Sequence, residues 1–224
     1  MATTVEPTKM TQATSPQAEP APRARTKMPS QRTLTIAAVV VALLALGAWM
    51  VLTSARRKEQ FATRALLEAR MTAERGNLPL AATQFQQLVD TYRGSDAARE
   101  ALIGLNQLRL INGQSDLAAV SLREFIATSP EPKYAAPAQA LLGAALENAS
   151  RPADAAAAYQ EAARIAPIDY LKAEYLLQAA RALLAAGKPS EAQAAYQTVV
   201  DDYRETASYT EAQVRLSEMT AGKS

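Results

Sequence analysis

The chain divides by its pattern of apolar and polar positions into three stretches. Residues 33–53 (TLTIAAVVVALLALGAWMVLT) are uncharged over 21 positions. As a helix rising ~1.5 Å per residue they would be about 31 Å long, the thickness of a bilayer's hydrocarbon core. Residues 1–32 show no apolar period. From about residue 54 onward, apolar residues recur at helical spacing in paired segments separated by turn signals, which predicts helical hairpins.

Those hairpins repeat. Aligning the turns gives GNLPLAATQFQQLVDTY from Gly76, GQSDLAAVSLREFIATSP from Gly113, SRPADAAAAYQEAARIAP from Ser150 and GKPSEAQAAYQTVVDDY from Gly187, each start 37 residues after the last. Five positions into each unit stands Ala81, Ala118, Ala155 or Ala192, and nine positions in stands Phe85, Leu122, Tyr159 or Tyr196. Twelve positions in stands Leu88, Phe125, Ala162 or Val199. A small residue followed four positions later by a large one on the same helix face lets a second helix approach the first closely and fills the space between them. Gly76, Gly113 and Gly187 supply turns, and Pro79, Pro152 and Pro189 sit where a first helical turn needs no N–H. A segment such as APAQALLGAALENAS (136–150) supplies the matching upstream helix.

Composition agrees with an all-α fold. Fifty of 224 residues are Ala, the best helix former, and only 5% are aromatic. The chain has no Cys and no His. That excludes disulfides, thiol nucleophiles, thiolate or imidazole metal sites and His-based acid–base catalysis. The net charge of +2 is too small to point to nucleic acid. No Gly-rich phosphate loop, nucleophile elbow or paired-carboxylate motif is present, so no enzyme, metal, cofactor or small-molecule substrate is expected.

Charge sharpens the three-part division. Residues 1–32 carry five Lys/Arg against two Glu and five of the twelve prolines, and are expected to be a disordered spacer. Residues 33–53 lack the polar face a soluble helix needs, and their apolar run exceeds that of a cleaved signal peptide, so an uncleaved single-pass membrane span is expected. Trp49 would lie at one interface, with Arg56, Arg57 and Lys58 beyond it. Arg23, Arg25, Lys27 and Arg32 balance Arg56, Arg57, Lys58 and Arg64 on the two sides, so the positive-inside rule returns a tie. The expected orientation, tail in the cytoplasm and domain in the periplasm of a bacterial inner membrane, rests on a first uncleaved apolar segment acting as a signal anchor.

The repeated unit resembles the tetratricopeptide repeat. The third copy carries Leu142-Gly143, then Leu146, Ala155, Tyr159, Ala162 and Pro167 where that family has its pattern. The period is 37 residues, and the first two copies have Glu68-Ala69 and Leu105-Asn106 at the Leu-Gly pair. The resemblance implies an all-α solenoid of four helical hairpins, with repeats at about 62–95, 99–132, 136–169 and 173–206 inside a domain over 54–224. A capping helix over 208–221 would close the stack, with Ala212, Leu216 and Met219 on one stripe. By the same resemblance the first helices line a peptide groove, with Arg70, Glu74, Gln107, Ile111, Asn148, Glu174 and Arg181 facing it. The family's carboxylate clamp is not matched, because Leu66 and Ile103 stand at its first basic positions and Arg70 and Gln107 replace its asparagines.

An apolar span followed by an Ala-rich repeat domain is similar to the YfgM-like class of membrane-anchored periplasmic proteins. That likeness implies a scaffold beside the protein translocon that passes clients to periplasmic chaperones. Segments 85–102 and 196–212 also resemble BamD-like and CpoB-like repeats. These imply the alternative of a scaffold in outer-membrane assembly or in cell-envelope and division complexes.

Overall fold

The computed structural model describes residues 31–221. The spacer expected over 1–32 therefore lies, except for its last two residues, outside the described residues. The chain falls into two units, 1–49 and 50–224. Among the described residues there are nine α-helices and no strand.

The first unit holds the beginning of α1 (Gln31–Glu74). Val41, Leu44 and Trp49 are all more than half exposed, and none of the most apolar window of this helix is buried. The helix is long and apolar enough to cross a membrane, by length and composition.

The second unit contains the end of α1 and then α2 (Leu78–Thr91), α3 (Asp96–Ile111), α4 (Ser115–Ala127), α5 (Pro132–Asn148), α6 (Pro152–Ile165), α7 (Asp169–Ala185), α8 (Pro189–Asp202) and α9 (Ala207–Ala221). The first helices start earlier than the periodicity alone places them: α3 begins at Asp96, α5 at Pro132 and α7 at Asp169. Local capping explains α3. Ser95 Oγ accepts from Ala98 N at 3.0 Å, while the Glu59 carboxylate accepts from Asp96 N and Ala97 N at 3.1 and 3.0 Å. Side-chain caps and first-turn acids satisfy donors that a helix start leaves open.

The turn inside each hairpin is one motif repeated four times. Gly76, Gly113, Ser150 and Gly187 all have positive φ, at 83°, 73°, 58° and 71°. Each donates its N–H three residues back, and the following residue donates five back, as in Gly187 N to Leu184 O and Lys188 N to Leu183 O. This is the Schellman cap, which satisfies the last carbonyls of the preceding helix and favours Gly in the left-handed position. The third copy makes the same turn with Ser150.

Packing follows the repeat. Ala81, Ala118, Ala155 and Ala192 are all fully buried, and Phe85, Leu122, Tyr159 and Tyr196 are buried one turn later. The first-helix residue at the crossing is Ala69, Asn106, Gly143 or Ala180, and it sets how closely the pair can meet. A Cβ built on Gly143 would stand 2.7 Å from the Tyr159 ring, so only glycine admits that ring. At the same position Asn106 is fully buried, with Nδ2 donating to Leu102 O at 2.9 Å and Ser121 Oγ at 3.2 Å. The buried residues then form two clusters, one over α1–α3 and the other over α4–α9. The second hairpin, α3 with α4, is the seam between them.

Candidate functional site

The face made by the first helices is built on a second 37-residue register. Positions 70, 107, 144 and 181 are Arg, Gln, Ala and Arg; thirty residues further on, positions 100, 137, 174 and 211 are Glu, Pro, Glu and Glu. Where Arg meets Glu, neighbouring first helices are tied together. Arg70 pairs with Glu100 at 2.6 Å, and Arg181 pairs with Glu211 of α9. The bond to Glu211 raises the Arg181 guanidinium above its ordinary value, against the opposing pull of burial.

The middle of the face has no such ties. Gln107 is matched with Pro137, and Ala144 with Glu174, so neither pair can form an ion pair. A groove of ≈ 410 Å³ opens there between α5 and α7, lined among others by Gln107, Glu147, Tyr175, Gln178 and Arg181. Its acids are held from within. Glu147 accepts from Tyr159 Oη at 2.7 Å, and Glu174 accepts from Gln178 Nε2 at 2.9 Å and from Ser208 Oγ at 3.4 Å. Burial, then the bond to Glu147, pushes the Tyr159 phenol far above its usual value.

Two polar groups in the groove are left over. Among the described residues, neither the Gln107 amide nor the Tyr175 hydroxyl has a side-chain hydrogen bond. Tyr175 is otherwise buried, and burial followed by the neighbouring Glu174 raises its phenol above 10.0. It therefore stays a donor across physiological pH. An amide and a phenol in a groove of mixed polar and apolar lining can satisfy the N–H and C=O groups of an extended peptide.

The residues expected to face a groove are thus not all brought together. Gln107 and Arg181 line it, and Glu174 stands beside it on α7. Arg70 is engaged with Glu100 outside it. Glu74, Ile111 and Asn148 are exposed near helix C-terminal ends and do not line the groove, Ile111 being 68% exposed. Sequence reasoning missed Tyr175, Gln178 and Glu147. The signal was available in the Arg-to-Glu spacing of 30 residues, which shows where first helices are clasped and where they are not. Of the residues expected near a membrane interface, Arg56 and Arg57 are exposed, whereas Lys58 Nζ donates to Arg93 O at 2.9 Å.

The fold, a stack of antiparallel helix pairs, defines an α-solenoid. Residues 174–206, which cover most of α7 and all of α8, match the tetratricopeptide repeat family. The match falls on the fourth hairpin rather than on the third, which carries Leu142-Gly143. Two solved structures share the fold. MamA 41-end from Desulfovibrio magneticus RS-1 is 22% identical with a TM-score of 0.53, covering 79% of this chain and 92% of that one. The MamA RS-1 ArsTM double mutant gives 22% identity and 0.53, covering 79% and 91%. No curated protein matches the chain.

Proposed function

We propose that the protein is a non-enzymatic scaffold, anchored by residues 33–53, that docks segments of other proteins in the groove between α5 and α7. The observation that carries this reading is the unclasped centre of the first-helix face, where the Gln107 amide and the Tyr175 hydroxyl stand without partners among the described residues. A tetratricopeptide match and a solenoid fold support protein binding as the task. The reading of an anchor is supported by the uncharged run over 33–53 and by an apolar helical window none of whose described residues is buried. The finer reading places the repeat domain in the periplasm, as an accessory to the translocon and to periplasmic chaperones.

Two measurements test it. Co-purification from detergent-solubilised membranes should recover a defined protein set from the wild type, reduced several-fold by Tyr175→Phe combined with Gln107→Leu. Undiminished recovery overturns the groove as the docking site. A periplasmic reporter fused after Ser224 should be active, and protease added to spheroplasts should digest the domain. A protected domain overturns the periplasmic assignment and the chaperone role with it.

A further inference from the structure

The opposite face of the solenoid carries a second cleft. Because the second hairpin is the seam between the two buried clusters, α2 and α4 flank α3 without closing over it. Three cavities of ≈ 650, 530 and 440 Å³ follow one another along this channel. The first two share Gln86, Leu105, Arg109 and Leu117; the second and third share Val89, Leu102, Phe125 and Thr128. The wall is apolar and open to solvent, with Leu117 50% and Val120 52% exposed.

The channel holds a cation that no acid compensates among the described residues. The Arg109 guanidinium donates to Asn106 Oδ1 at 3.1 Å and to Gln86 Oε1 at 3.2 Å, both neutral acceptors. Among the described residues it has no ion pair, although every other arginine of α3 and the loop before it has one. Asp90, at the channel's edge, is occupied by Arg93 and by Gln86 Nε2. Gln86 is thereby turned to present its carbonyl to Arg109, which fixes the guanidinium in place. Partial burial disfavours its charge. A half-buried cation with spare donors and only neutral hydrogen-bond partners is completed by a carboxylate.

We propose that this channel is a second protein-docking site, and that its occupant is an amphipathic helix of a partner, with an Asp or Glu side chain on Arg109. A helix fits because the walls offer stripes at helical spacing: Gln86 and Val89 on α2, and Leu117, Val120 and Glu124 on α4. An incoming apolar stripe at i, i+3 or i+4, and i+7 packs between them. Glu124 has no ion pair among the described residues and repels an acid placed at its end of the channel. The site therefore selects the position of the acid along the helix as well as its presence.

The test is a displayed library of amphipathic helical peptides panned against the full-length protein in detergent micelles, with binders measured by fluorescence polarisation. Selected binders should carry an acidic residue on the apolar face. Changing it to its amide should weaken binding to wild type about tenfold, with less than about a twofold effect on Arg109→Met. Leu117→Asp, a change at a half-exposed position that leaves the fold intact, should abolish binding. The proposal is overturned if no helical binder emerges, if binders show no preference for an acid, or if they bind Leu117→Asp as well as wild type. Loss of helix binding in Leu117→Asp with groove-dependent co-purification retained separates this site from the one between α5 and α7.

Discussion

The second and third hairpins have the same period, the same buried Ala and the same left-handed turn, yet they pack differently. In the third, Gly143 lets the Tyr159 ring lie against the α5 backbone, and the phenol ends on Glu147. In the second, Asn106 occupies the equivalent crossing and bonds Ser121 and Arg109 instead. One helix pair closes into the larger cluster; the other stays open and leaves a channel in which Arg109 has no ion pair among the described residues. The difference shows that in a repeat protein, where each unit touches only its neighbours, a single crossing residue decides whether a seam becomes core or cleft.

The largest effect should come from forcing the third hairpin to resemble a blocked one. Gly143→Leu places a side chain where the Tyr159 ring lies and should cost about 3 kcal/mol, read as a lower urea midpoint at unchanged slope. Retained stability would mean that the close approach at this crossing is not what holds α5 to α6. In the second hairpin, Asn106→Ala should cost about 2 kcal/mol, because Arg109 and Ser121 each lose a partner in a partly buried site. An unchanged midpoint would reduce Asn106 to a passive spacer.

The turns give a smaller contrast of opposite sign. A Cβ at Gly187 meets nothing within 4 Å, so Gly187→Ala probes the backbone alone and should cost about 1 kcal/mol. Ser150→Gly, at the equivalent turn, should gain up to about 1 kcal/mol. Thermal melts showing both changes neutral would contradict the shared cap.

The smallest and sharpest comparison is between two tyrosines at one repeat position. Tyr159 has Glu147 as its acceptor, whereas the residue 37 positions after Glu147 is Leu184, and the buried Tyr196 hydroxyl has no partner among the described residues. Tyr159→Phe should therefore cost about 1 kcal/mol, and Tyr196→Phe should be neutral or slightly stabilising. The pH dependence follows the same groups. The phenols of Tyr159, Tyr175 and Tyr196 are raised by burial above 10.0, so the unfolded chain loses these protons first. Stability should be intact below about pH 10 and decline as pH rises further, with a shallower decline in Tyr159→Phe. Ultraviolet titration showing these tyrosines ionising near pH 10 with the fold intact would contradict their burial.

Much of the helical framework was legible because it is periodic. The constant spacing of Ala and large apolar residues located the second helices, and Gly and Pro located the turns. The starts of α3, α5 and α7 were less legible, since α3 depends on Glu59, a cap contributed from another helix. The groove was legible only in part. The resemblance to the tetratricopeptide repeat implied Arg70 and Arg181 on the first-helix face, but whether an arginine there is free depends on what stands on the next helix. Glu100 and Glu211 engage both. Reversing those arginines would set new acids against Glu100 and Glu211, so Gln107, Tyr175 and Gln178 are the better probes. The channel beside Arg109 follows from a missed closure at Asn106, which no local pattern announces.

The central claim is that partners dock on the unclasped centre of the first-helix face, and site-directed photo-crosslinking in native membranes tests it most directly. A photoreactive residue in place of Gln107 or Gln178 should yield discrete protein adducts, lost on Tyr175→Phe combined with Gln107→Leu when the probe sits at Gln178. The same residue at exposed Arg164 on α6, away from both proposed sites, should yield few. Adducts equal at Arg164 and at the groove, or absent from the groove altogether, would contradict the account.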